Sequence, residues 1–240
     1  MQTKVKFLFL TFFFFLGLST PLHAQISKEH YIPPISGVHG KIVLYKLVLS
    51  TLSEEPFTVS ITNSDGSYQK EVVISLSSPQ EIIPKVGDVI IGFPYTNSNK
   101  NYPQTNLAKI FNKVMPEHGL TLKGETPFFV NMLVTIPSQA EILTSKGLAG
   151  VGTEFFSGHQ HMNWVESTAN IKSHFISVMA LEDNTEVEFS NPKVKYYGQT
   201  EHTFKINLNA GESYIIGNSG VGIGRECGKN YKCMNDFNGT

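Results

Sequence analysis

The chain has no excess of either charge, almost no cysteine and a single tryptophan. Nineteen basic residues against twenty acidic ones leave a formal net charge of −1, and charged residues make up 16% of the chain. That balance excludes the basic stripe of a nucleic-acid binder. The polar residues that keep such a chain in water must be mostly Ser, Thr, Asn and Gln. The two cysteines, Cys227 and Cys233, are too few for a multi-bridge framework. The short loop between them can close, so a disulfide and two free thiols stay equally open. No second Cys or His pair lies nearby at a zinc-finger spacing.

Catalytic signatures are missing as well. There is no G-x-S-x-G elbow and no H-E-x-x-H helix. Residues 217–224 are glycine-rich. They lack the Lys-Ser/Thr ending of a P-loop, and their glycines do not fall as G-x-G-x-x-G. A glycosidase carboxylate pair is set by space and not by spacing, so sequence is silent on it.

Only one long apolar run exists, and it is at the start. Phe7 to Leu18 is apolar apart from Thr11 and Gly17, behind Lys4 and Lys6. Pro21 follows, then Leu22-His23-Ala24. This reads as a secretory signal over residues 1–24, its core shorter than the ~20 residues a spanning helix uses. The expectation is an exported chain with no transmembrane segment after signal removal. Its place would be extracellular or the outer cell surface, or the periplasm if no sorting domain follows.

What the chain does have is a repeat. Ile74, Leu76 and Ile83 match Ile206, Leu208 and Ile215 at one constant offset. Leu52 and Val59 match Leu181 and Val187 with a one-residue gap between the two positions. Repeated β patterns of this kind build arrays that serve as binding or structural surfaces more often than as catalysts. Phe57-Thr58-Val59-Ser60-Ile61 alternates as a half-buried strand should, and Asn63-Ser64-Asp65-Gly66 closes it with turn residues. Residues 119–122 and 127–134 read as two further strands. Residues 106–115 place Leu107, Ile110, Phe111 and Val114 on one face, which predicts a short helix ended by Pro116. Residues 138–143 contain helix formers, and residues 152–158 read as a strand. The expected organisation is all-β: tandem related β-sandwich units over residues 26–137 and 138–240. The second is incomplete, because the chain stops where its counterpart of the last two strands should begin.

Three side-chain groups are candidate sites. His159 and His161 lie two apart, so on a strand they share a face; with His174 across a hairpin they could hold a metal. Solvent-facing His pairs also occur without one. Glu182-Asp183-Asn184-Thr185 is an oxygen-rich turn of the kind calcium favours, but Asp and Asn make turns unaided. Ser53-Glu54-Glu55-Pro56 stands at the same place in the first unit, which favours a structural corner. Trp164 suits sugar stacking if exposed and ordinary core if buried.

Several segments carry a resemblance. They are residues 138–147 (SQAEILTSKG), 152–156 (GTEFF), 176–187 (ISVMALEDNTEV), 208–212 (LNAGE) and the opening His30-Tyr31-Ile32-Pro33-Pro34. Together they resemble the N-terminal region of large exported Bacteroidetes proteins that carry a gliding-motility-associated C-terminal domain. More distantly, they resemble the IgG Fc-binding protein N-terminal domain family. The resemblance implies a secreted or cell-surface, adhesin-like protein of the type IX secretion route, of which this chain would be a fragment. It transfers no catalytic residue and fixes no ligand. The expected function is non-catalytic binding or scaffolding toward a protein or glycan at the cell surface, through strand faces and the loop at residues 97–104. A secreted carbohydrate-binding module or metal-dependent carbohydrate-active enzyme is the alternative.

Overall fold

The computed structural model describes residues 25–34, 44–83, 112–136, 139–157, 175–190 and 199–217. These form twelve strands: β1 (Ser27–Ile32), β2 (Leu44–Thr51), β3 (Phe57–Thr62), β4 (Gln69–Ile74), β5 (Gln80–Ile82), β6 (Val114–Met115), β7 (Leu120–Ile136), β8 (Gln139–Thr144), β9 (Phe175–Met179), β10 (Thr185–Ser190), β11 (Thr203–Leu208) and β12 (Ser213–Gly217). A 3-10 turn at Gly147–Gly150 is the one helical element among the described residues. The fold is all-β.

Strand β3 shows how the sequence drives this. Phe57, Val59 and Ile61 alternate with Thr and Ser, and these three apolar side chains are buried. Period-two alternation puts them all on one face of the pleat. The strand ends where Asn63 takes over as a local hydrogen-bonding hub. Its Oδ1 accepts from the Tyr68 N–H at 3.0 Å, and its Nδ2 donates to Ser67 Oγ at 2.8 Å. Gly66 supplies the positive φ of 72° that the turn needs. β4 then returns antiparallel, with Phe57 opposite Ile74.

The long strand β7 organises the first core. Near its start Lys123 lies opposite Glu29 of β1 on one edge and Ser60 of β3 on the other. Farther along, Asn131 lies between Val48 of β2 and Thr144 of β8. The strand therefore passes from one pair of neighbours to another. The change falls at residues 124–127, where the pairing with β1 shifts register. Gly124 makes this possible: a Cβ there would sit 3.0 Å from the Phe57 ring and 3.1 Å from the Phe128 ring. Pro127 has no N–H to give, and its carbonyl accepts from Thr51 Oγ1 at 2.9 Å. Leu120, Leu122, Phe128, Val130 and Met132 of β7 join Leu47, Leu49, Val59, Ile61, Ile74 and Ile82 in one buried cluster.

Four sequence expectations change here. The two strands expected at residues 119–122 and 127–134 are one continuous strand, because the Gly-Glu-Thr-Pro segment bends the ladder without ending it. The helix expected over residues 106–115 is not helical at its end. Asn112 has a φ of 59°, and Val114–Met115 pairs with β12, so backbone hydrogen bonding there runs between strands; residues 106–111 lie outside the described residues. The helix formers of residues 138–143 form β8, because β7 offers an open edge and β8 takes it in full register. Residues 151–157, expected in part as strand, have no regular structure.

The later strands pair as the earlier ones do. β2 pairs with β5 and β3 with β4. β9 pairs with β12 and β10 with β11. Phe57 opposite Ile74 corresponds to Val187 opposite Ile206, two residues from the match read off the sequence. A second buried cluster gathers Ala180, Phe189, Leu208, Tyr214 and Ile216. Phe189 stacks on Phe204 with ring centroids 5.1 Å apart.

A seam joins the two clusters. Val114–Met115 adds to the edge of β12, and the Asn112 N–H donates to the Ile215 carbonyl at 3.0 Å. The Pro116 carbonyl accepts from the N–H groups of Ser64 and Asp65, and Ser64 Oγ donates to the Ala210 carbonyl at 2.9 Å. Ser213, Tyr214, Ile215 and Ile216 are consequently all buried. A strand covered on both faces reads as a continuous run rather than an alternation.

Candidate binding surface

The sequence-derived sites fall mostly outside the described residues. This holds for the candidate metal ligands His159, His161 and His174, for Cys227 and Cys233, for Trp164, for the loop at residues 97–104 and for the signal at residues 1–24. Among the described residues, no group of three or more His, Cys, Asp or Glu is placed to hold a metal ion. The acidic turn is described, and its oxygens are engaged. Asp183 Oδ1 accepts from the Ala210 N–H at 3.0 Å, and Thr185 Oγ1 donates to the Glu182 carbonyl at 2.7 Å. Asn209 Oδ1 accepts from the Asn184 N–H at 3.3 Å, while Glu212 Oε2 accepts from the Asn209 N–H at 2.7 Å. Asn184 takes a φ of 57°, which Asn tolerates better than most residues. The turn is a corner that satisfies its own backbone.

The surface that does stand out is apolar. Ile142, Leu143, Leu148, Val151, Phe155 and Phe156 are all exposed, Ile142 at 68%, Phe155 at 65% and Phe156 at 80%. Six large apolar side chains within fifteen residues are a concentration that single exposed residues elsewhere do not match. Leu143 explains part of it. It stands opposite Met132 of β7, which stands opposite Leu47 of β2. Leu47 and Met132 are buried, whereas Leu143, at the end of that row, is 44% exposed. The core row runs out to the surface at β8.

Within this stretch the chain is held at Ser145 and Gly147 by a buried seat. His30 of β1 is fully buried. Its Nε2 lies 2.8 Å from the Phe128 carbonyl, which can only accept, so Nε2 carries the proton. Nδ1 lies 2.9 Å from Ser145 Oγ, and the Ser145 hydroxyl donates to it. The Ser145 N–H donates to the Val130 carbonyl at 2.9 Å, and Ser145 Oγ accepts from the Gly147 N–H at 3.3 Å. Ser27 Oγ accepts from the N–H of Leu148 at 3.5 Å and of Glu29 at 3.2 Å. Gly147 has a φ of 54°, and a Cβ there would fall 2.3 Å from Ser27 Cβ. β1 and the 3-10 turn thus meet at a point where only glycine fits. Burial holds the His30 pKa below its ordinary value, against a smaller opposing pull from the Phe128 and Ser27 carbonyls.

Sequence reading missed this seat. Its only local trace was the Ser-Lys-Gly run before the exposed Phe155-Phe156 pair. The opposite side of β1 holds a separate polar group. The Tyr31 hydroxyl donates to Glu29, whose other oxygen lies 3.5 Å from Lys123 Nζ. Burial first, and then Glu29, push the Tyr31 hydroxyl up to about 12.

Residues 142–240 match the model of a family described as IgGFc binding protein. The match begins at Ile142, within β8, and takes in β9 to β12. No curated protein and no solved structure matches the chain. Among the described residues, no helix is long and apolar enough to cross a membrane.

Proposed function

We propose that this chain is an exported, non-catalytic binding protein that holds a protein partner against an apolar ledge of Leu143, Leu148, Val151, Phe155 and Phe156. The observation that carries the reading is the exposure of Phe155 and Phe156 a few residues beyond the turn that Ser145 and Gly147 hold in place. Exposed aromatic side chains on a fixed backbone give contact area at low ordering cost. The family match over residues 142–240 supports protein binding and names the immunoglobulin G Fc region as the first partner to try. An adhesin-like role within a longer protein of the type IX secretion route agrees with the sequence resemblance. In this reading residues 26–137 and 138–240 are its two related units.

The test is binding of the full chain to immobilised Fc by surface plasmon resonance. The double substitution Phe155→Ser with Phe156→Ser is expected to abolish binding while leaving the far-ultraviolet circular dichroism unchanged. Unaltered binding by the folded double variant overturns the ledge as the binding surface. Absence of binding by the unsubstituted chain overturns Fc as the partner.

A further inference from the structure

We propose that the His30 seat is an acid-sensitive latch, through which strand β1 holds or releases residues 145–157 and so controls the apolar ledge. The inference rests on the binding reading above, but its mechanics stand on the seat itself.

The geometry joins three distant pieces of chain at one imidazole. His30 lies on β1, the Phe128 carbonyl on β7, and Ser145 at the head of the loop that carries the ledge. The ring also packs on Phe128, with centroids 4.7 Å apart. In the neutral form each ring nitrogen has a matched partner: Nε2–H gives to a carbonyl, and Nδ1 takes from a hydroxyl. A proton arriving at Nδ1 reverses the second bond. The Ser145 hydroxyl must turn and accept, while its oxygen already accepts from the Gly147 N–H. The new cation would sit beside a hydroxyl, carbonyls and an aromatic ring, with no carboxylate among its hydrogen-bond partners. A buried charge without a counter-charge is costly.

Among the described residues, the charged and titratable side chains of the surrounding elements do not relieve this. On β1, Lys28 is exposed, and Glu29 and Tyr31 bond each other on the opposite face. On β7, Lys123 pairs with Glu29, and Glu125 is exposed. Lys146, beside Ser145, is exposed and would repel the imidazolium. The arrangement relaxes by parting β1 from the loop, which brings water to the ring. Leu148 then loses the Ser27 hydroxyl, and Gly147 no longer needs its close fit against Ser27. The pull on His30 toward its neutral form, set by burial, has the same sense. Such a device would present a fixed ledge at neutral pH and a loosened one in acid.

The experiment is amide hydrogen exchange of the full chain at pH 7.5 and pH 5.0, corrected for intrinsic exchange. The hairpin of β3 and β4 serves as an internal reference. Residues 145–150 are expected to exchange severalfold faster at pH 5.0 than at pH 7.5, with the hairpin unchanged. In His30→Gln, whose amide can donate to the Phe128 carbonyl and accept from Ser145, that pH response is expected to vanish. Equal protection of residues 145–150 at both pH values in the unsubstituted chain overturns the latch, and this arm needs no variant. An undiminished pH response in folded His30→Gln overturns it too. Exchange does not depend on a partner, so failure to bind Fc would remove the binding reading and leave the latch intact.

Discussion

The two sets of strands share a pairing scheme and differ in what covers them. In the first, β2 and β3 each have a second neighbour, β7, which brings five apolar side chains into a cluster where Leu47, Leu49, Val59, Ile61, Ile74 and Phe128 have no measurable exposure. In the second, the counterparts β9 and β10 have no second strand neighbour among the described residues. Ile176, Val178, Val187, Phe204 and Ile206 remain half-buried against a smaller centre. Among the described residues, the same hairpin logic therefore yields a closed core in one place and a more open one in the other. What closes the first cluster is the long strand that pairs with both β2 and β3, more than the hairpins that repeat within the chain. The buried strand β12 qualifies this. Tyr214 and Ile216 belong to its own cluster, while Ser213 and Ile215, on its other face, are buried as well.

The largest expected effect tests that asymmetry directly. Phe128→Ala removes a fully buried ring that packs on Phe57, 6.4 Å away between centroids, and on His30. A loss of about 3–5 kcal/mol is expected. Phe204→Ala removes a ring that is only half-buried, and about half that loss is expected, because less surface returns to water. Urea unfolding of both variants checks the pair. Equal losses would mean that the second cluster is as closed as the first.

Next come the glycines, which separate backbone cost from crowding. Gly66 has a φ of 72° with its nearest heavy atom at an ordinary 3.5 Å, so Gly66→Ala meets only the left-handed penalty of about 1–2 kcal/mol. Gly147→Ala adds a clash at 2.3 Å to a similar φ, for about 2–5 kcal/mol in all. Thermal unfolding ranks them, and Gly147→Ala is also expected to weaken Fc binding by displacing the ledge. A smaller loss at Gly147 than at Gly66 would show that Ser27 yields easily and that β1 is not a firm seat.

The pH dependence of stability is smaller and has a definite sign. The folded chain holds His30 below its ordinary 6.5, chiefly through burial. The unfolded chain then binds the proton first as pH falls. The stability due to this group is complete above about 6.5 and is lost progressively as pH drops through that value toward the folded one. Tyr31 works at the other end. Raised to about 12 from 10.0, it favours the folded state below pH 10, an advantage lost as pH climbs from 10 toward 12. His30→Gln is expected to flatten the acid limb of a stability–pH profile, and Tyr31→Phe the alkaline limb. A limb that survives its own substitution would assign that limb to other groups.

How much of this was legible depends on the range of the interaction. The hairpin at residues 57–74 was readable because alternation, Asn63 and Gly66 are all local. The shared pairing scheme showed through the spacing of Ile74 and Ile83 against Ile206 and Ile215, although burial did not follow it. Ile215 is fully buried and Ile83 is 55% exposed. The continuity of β7 was hidden by Gly124 and Pro127, which usually mark an end of structure and here mark a bend. The His30 seat joins positions 115 residues apart, and no local pattern announces such a meeting. Strand β8 was misread for a related reason: Ala, Glu and Leu favour helix weakly, and an open strand edge outweighs that preference.

The smallest expected effect compares the two surface ion pairs. Lys46 Nζ meets Glu81 Oε1 at 2.6 Å across β2 and β5. Lys205 Nζ meets Glu186 at 2.6 Å and Glu188 at 3.4 Å across β10 and β11. Lys46 is the more enclosed, its side chain 19% exposed against 53% for Lys205. Water and salt screen an exposed pair, and holding two long side chains costs entropy that offsets most of the attraction. Lys46→Met is therefore expected to cost less than about 1 kcal/mol, with a small salt dependence in urea unfolding. Lys205→Met is expected to leave the midpoint unchanged, even though Lys205 has two carboxylates to choose from. A larger loss at Lys205 than at Lys46 would mean that the second hairpin, short of apolar cover, relies on its charges for registry in a way the first does not.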